Sequence, residues 1–197
     1  IMNKICIVGN GPNVMDRELG STINSFDDIV RFNRSPIQGY EQFVGDKTTY
    51  RFINRTVSRN AKEHLEEDLN IVSTFRNMTL LFDDDNKGNV KLLKSIFHES
   101  CEFNFLNRKK ELEKMLNYYN LGIKMNGKNP TGGLSIISYF LNKNYEITIH
   151  GFGLSDNRTL SVIPHFYESK TVITTHDYNY EVDIIEKLIY KNIINKL

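Results

Sequence analysis

Short apolar runs ending on glycine or asparagine alternate along this chain with stretches whose apolar residues recur at helical spacing. The first run, KICIV at residues 4–8, ends at Gly9-Asn10-Gly11-Pro12 and reads as a buried strand feeding a glycine turn, with a helix predicted over 17–24. A second strand over 29–32 is closed by Asn33-Arg34-Ser35-Pro36, and a third over 48–53 by Asn54-Arg55. The same pattern predicts strands at 71–75, 103–106, 145–150 and 171–173, and helices at 61–67, 90–100, 108–119 and 134–141. Such alternation points to an α/β fold in which a mostly parallel, twisted sheet carries helices on both faces. Residues 178–196 read as a last helix, with Ile184, Ile185, Leu188, Ile189 and Ile193 on one face. Lys187, Lys191 and Lys196 accompany that face, so it suits either core packing or peripheral contact with a membrane surface.

Composition narrows the classes. A chain of 197 residues with 40% hydrophobic content fits one domain, taken as 2–197 with Ile1 set aside. Lys plus Arg total 25 against 24 Asp plus Glu, so no global basic field marks a nucleic-acid partner. No segment reaches the ~20 apolar residues of a membrane span, Met2 leads directly into a strand, and Cys6 and Cys101 form no disulfide framework. These features create the expectation of a cytoplasmic protein.

Gly9 and Gly11 after a strand let a phosphate or ribose approach the backbone, although a plain tight turn explains them equally well. The dinucleotide fingerprint fails: Val14 stands at the third glycine position, and Asn33 stands where a ribose-binding acid belongs. The Asn33 amide can both donate and accept, as a nucleotide requires, and it can equally serve a turn. Asp83-Asp84-Asp85 resembles a metal motif only superficially. Lys94 stands where a calcium loop needs its last acid, so the run reads as a turn opening a helix.

The stretch from Ile5 to Asn54 resembles the large sialylmotif of the animal-type sialyltransferases, glycosyltransferase family 29. Asn129-Pro130-Thr131-Gly132-Gly133, continued by residues 147–153, is similar to the family's small motif. His165-Phe166-Tyr167-Glu168 matches its third motif, and His176 with Glu181 its very short one. The resemblance implies a Rossmann-type, GT-A-like domain that transfers sialic acid from CMP-sialic acid to a glycan or glycolipid hydroxyl, often galactose, with inversion and without a metal or other cofactor. A CMP-Kdo-dependent transferase and a non-catalytic cytidine-nucleotide module are the alternatives.

By position, Asn10 and Asn33 are expected to touch CMP, with Gly9 and Gly11 shaping the loop. Thr131, Gly132 and Gly133 are expected near the donor ribose or carboxylate, and Gly151, Phe152 and Gly153 at the cytidine edge. His165 is expected to face the phosphate, with Tyr167 supporting it. His176 is the expected base, with Glu181 either orienting it or favouring a helix N-terminus. His64, His98 and His150 match no role. Two departures stand out: Asn144 replaces one cysteine of the family's disulfide, so Cys6 has no partner there, and Gly132 replaces a usual Ser or Thr.

Overall fold

The computed structural model describes residues 2–63, 66–153, 162–167, 171–173 and 177–197. Strands β1 (Lys4–Val8), β2 (Asp28–Phe32), β3 (Tyr50–Ile53), β4 (Thr79–Asp83), β5 (Glu102–Leu106), β6 (Glu146–His150) and β9 (Ile194–Lys196) form one seven-stranded sheet in the order β5-β4-β3-β2-β1-β6-β9. Every adjacent pair is parallel. Strands β7 (Val162–Pro164) and β8 (Thr171–Ile173) pair antiparallel in a separate ribbon.

Strands β1 and β4 carry unbroken apolar runs because both faces of the sheet are covered there. On β1, Ile5 and Ile7 enter one core while Cys6 and Val8 enter another, the alternation of the pleat. The first core also takes buried residues of α6 (Arg108–Tyr118), α7 (Gly132–Leu141) and α8 (Tyr178–Tyr190). On the opposite face, α1 (Gly20–Asn24) and α2 (Glu41–Val44) cover β1 and β2. Beside them α3 (Arg55–Lys62), α4 (Glu66–Val72) and α5 (Val90–Ile96) cover β3 and β4. Chain direction across the sheet reverses after β5, and the covering helices change face with it, as right-handed crossovers require.

Side-chain caps mark the helix starts: Asn54 accepts from Val57 N, Asn107 from Lys110 N, Thr131 from Leu134 N and Asp177 from Tyr180 N. The predicted strand at 71–75 is instead the end of α4 and the turn after it, where Leu69, Val72 and Phe75 recur at three-residue spacing and pack into the core over β3 and β4. The strand in this region is β4, whose run TLLFD lies eight residues later than the predicted start. The predicted terminal helix stops at Tyr190. Asn192 takes a left-handed φ of 54°, and Ile194–Lys196 becomes the edge strand β9. Val182, Ile184, Ile185 and Leu188 on α8 are buried, so this apolar face packs into the core. No helix among the described residues is long and apolar enough to cross a bilayer. Cys6 and Cys101 are free thiols, and burial pushes Cys6 up to about 12.

Candidate active site

In a parallel sheet a crevice opens where neighbouring crossovers leave in opposite directions, outside the carboxyl ends of the strands. Here that point lies between β1 and β6, since β1 is followed by β2 on one side and flanked by β6 on the other. The turns after these two strands are Gly9-Asn10-Gly11 and Gly151-Phe152-Gly153.

The two turns are hydrogen-bonded to one another. Gly9 N donates to His150 O at 2.7 Å and Gly11 N to Gly151 O at 2.8 Å. A Cβ at Gly9 or Gly11 would lie 2.6 Å from Gly151 O, and Gly151 itself has φ +75°. The room left by the missing side chains is therefore occupied by the facing turn, which is what locks the two motifs together. Phe152 leans on the same place, edge-to-face with Phe32 at 6.5 Å and against Gly9 and Gly133.

Polar groups converge around this pair of turns. Asn10 O accepts from Phe166 N at 3.0 Å, and Asn10 Nδ2 lies 3.5 Å from the Tyr167 hydroxyl. Asn10 Oδ1 and Asn13 Oδ1 are both buried without a hydrogen-bond partner among the described residues. Unmatched acceptors of this kind suit a ligand bringing donors. His165 and Tyr167 stack with centroids 5.2 Å apart and planes at 20°. After β2, Asn33 adopts a left-handed φ of 50°, its N donating to Phe52 O at 2.7 Å and its Oδ1 accepting from Asn54 N at 2.9 Å.

The N-terminus of α7 completes the rim. Both oxygens of the buried Glu181 carboxylate accept from Thr131, one from its N at 2.8 Å and the other from its Oγ1 at 2.5 Å. Burial raises Glu181 to about 7, against the lowering effect of the two Thr131 hydrogen bonds and of Arg108. Arg108 donates to Pro130 O at 2.9 Å, and its Nε lies 2.7 Å from Asp83 Oδ1, an ion pair without hydrogen-bond alignment. Asp85 pairs with Arg55 and Asp84 accepts from Asn107, so the acidic run is engaged at a turn leading into α5. No group of three or more metal-ligating side chains occurs among the described residues. A Cβ on Gly132 would meet the Phe52 ring at 2.8 Å, so the buried phenyl fills the space that a Ser or Thr at 132 would need.

Thus Gly9, Asn10, Gly11, Asn33, Thr131, Gly132, Gly133, Gly151, Phe152, Gly153, His165 and Tyr167 are gathered at the carboxyl ends of the strands, with Glu181 behind them. His176, Glu168 and His64 lie outside the described residues. His98 bonds Ser100 at 2.9 Å, and His150 is buried, its pKa lowered chiefly by burial. Sequence reasoning missed Asn13, Asn54, Phe52 and Arg51. Asn13 carried a signal, as a further amide in the polar turn after β1.

The family profile described as glycosyltransferase family 29 (sialyltransferase) matches residues 2–193. The chain belongs to glycosyltransferase family 29. Similar family members include a human CMP-N-acetylneuraminate-beta-1,4-galactoside alpha-2,3-sialyltransferase, 27% identical over 97% of this chain and 56% of the relative. The human CMP-N-acetylneuraminate-beta-galactosamide-alpha-2,3-sialyltransferase 4 is 26% identical over 97% of this chain and 63% of its own length. The chain thus spans little more than half the length of these relatives. A mammalian sialyltransferase crystal structure superposes with a TM-score of 0.66 at 20% identity, covering 100% of this chain and 69% of that one. The sialyltransferase CstII from Campylobacter jejuni, in complex with cytidine-5'-monophosphate, gives 0.56 at 18% identity over 99% and 79%. These likenesses establish the GT-A-like fold of the family.

Proposed function

We propose that this chain transfers a sialic-acid-type sugar from a CMP-activated donor to a glycan hydroxyl, with galactosides the expected acceptors. The observation that carries the reading is the convergence at β1 and β6 of two hydrogen-bonded turns with the unpartnered Asn10 and Asn13 oxygens, in a chain of family 29. Solved complexes of structural relatives, one with CMP and one with a Gal-beta-1-3GalNAc glycoside, support the same ligand classes.

In this reading Asn10, Asn33 and the turns at 9–11 and 151–153 hold CMP, with Thr131, Gly132 and Gly133 at its sugar side. The acceptor O–H loses its proton to neutral His176 as its oxygen bonds the anomeric carbon, while the bond from that carbon to the CMP oxygen breaks on the opposite face, inverting the centre. Negative charge collects on the departing phosphate, where His165 stabilises it in place of a metal.

The test is CMP release from CMP-Neu5Ac and CMP-Kdo in parallel, with and without lactose, in EDTA. Acceptor-stimulated release from CMP-Neu5Ac is expected. Release from CMP-Kdo alone reassigns the sugar, and activity that returns only with Mn²⁺ overturns the metal-free mechanism. His176→Ala is expected to keep CMP binding and lower transfer by about 10²–10⁴-fold. Unchanged transfer removes His176 from the role of base.

A further inference from the structure

Two arginines occupy adjacent positions in register on β2 and β3, Arg31 beside Arg51, and each is 2% exposed. They fill the seam between the two cores on the face covered by α1–α5. Among the described residues, every acceptor they reach is neutral. Arg31 donates to Thr48 Oγ1 and to the Val44, Gly45 and Lys47 carbonyls, and it also feels Asp46. Arg51 has no acid in that role. Its Nη1 donates to Asn33 O at 2.8 Å, Ser35 O at 3.1 Å and Ser35 Oγ at 3.2 Å. Its guanidinium carbon stands 4.4 Å from the Phe75 ring centroid, and its Nε has no hydrogen-bond partner among the described residues. Neither arginine has a carboxylate in ion-pair contact among the described residues.

A buried cation without a counter-charge is costly, and folds retain one where something else offsets the charge. Burial and the neighbouring Arg31 hold Arg51 down at about 9, which leaves it charged at neutral pH. Its field reaches Tyr167, whose hydroxyl faces Asn10 across the crevice, and its hydrogen bonds end on the loop that holds Asn33 left-handed. The cation therefore lies against the Asn33–Ser35 loop after β2, within electrostatic reach of Tyr167 at the site.

We propose that Arg51 is a positioning residue for the anionic part of the nucleotide: it pins the Asn33–Ser35 loop and supplies a buried positive charge that the ligand phosphate offsets. The proposal rests on the CMP-donor reading above. It assigns the preference for a charged nucleotide over its nucleoside to a side chain that does not itself touch the ligand.

The experiment compares CMP with cytidine, which lacks the phosphate, by titration calorimetry on the wild-type chain, Arg51→Gln and Arg51→Lys, with thermal melts on each. Gln keeps an N–H for the Asn33 carbonyl and removes the charge; Lys keeps the charge. The ratio of cytidine Kd to CMP Kd is expected to fall about tenfold in Arg51→Gln and to stay within about threefold of wild type in Arg51→Lys. A merely structural role weakens both ligands together and leaves the ratio unchanged, and that result overturns the proposal. Should Arg51→Gln fail to fold, Arg51→Met, which also removes the charge, is read in its place: a roughly tenfold fall in the ratio supports the proposal and an unchanged ratio overturns it. A wild-type chain that binds CMP no better than cytidine overturns the donor reading and this inference with it. A wild type that prefers CMP, with an Arg51→Gln chain that keeps the preference, overturns the inference alone.

Discussion

Glu181 and Thr131 stand fifty positions apart, yet one carboxylate accepts both the amide and the hydroxyl that open α7. Because burial raises Glu181 from 4.5 to about 7, the folded chain holds its proton more tightly than the unfolded chain does. The resulting stabilisation is fully present below about pH 4.5 and is lost as pH rises through 7, a change of up to ~3 kcal/mol. Urea unfolding of the wild type between pH 5 and 8 is expected to show this decline, and Glu181→Gln to flatten it; parallel profiles for the two proteins contradict the assignment. The residue was legible in sequence as a companion of His176 or a helix-start acid, but its bond to Thr131 depends on how α8 meets α7, which no local pattern records. Asn33 was half legible: its amide does accept, but from the neighbouring Asn54 N, and its left-handed backbone follows from the Phe52 and Arg51 contacts.

At the scale of elements, α7 docks on β3 through Gly132, with the Phe52 ring where a side chain would begin. Gly132→Ser is expected to cost ~1–3 kcal/mol through overpacking of a buried ring. Combined with Phe52→Leu, the cost in urea unfolding is expected to be smaller than the sum of the two single changes; additivity contradicts the packing account. The strands next to the glycine turns were legible because burial on both faces writes unbroken apolar runs. Between residues 69 and 83 the sequence was misread, since Ile71-Val72 with Phe75 and the run of β4 are both short apolar clusters that periodicity alone does not separate. The edge strand β9 was absorbed into the predicted helix because Ile193, just before it, continues the apolar spacing after Asn192 has already turned the chain.

For the molecule as a whole, the parallel order β5-β4-β3-β2-β1-β6-β9 brings together turns that are distant in sequence, and the crevice that this order makes between β1 and β6 is where the large and small motifs meet. The sequence motifs located the turns and the resemblance named their chemistry, while strand order and the buried arginines came from the assembled sheet. The central claim is that this crevice takes CMP. Amide hydrogen exchange with and without saturating CMP tests it most directly. The account predicts slowed exchange at residues 9–14, 33–35, 131–134 and 151–153, with no change at the amino-terminal end of β6 around Tyr139, Lys143 and Tyr145. Protection centred on that end, or CMP binding with unaltered exchange at 9–14 and 151–153, contradicts it.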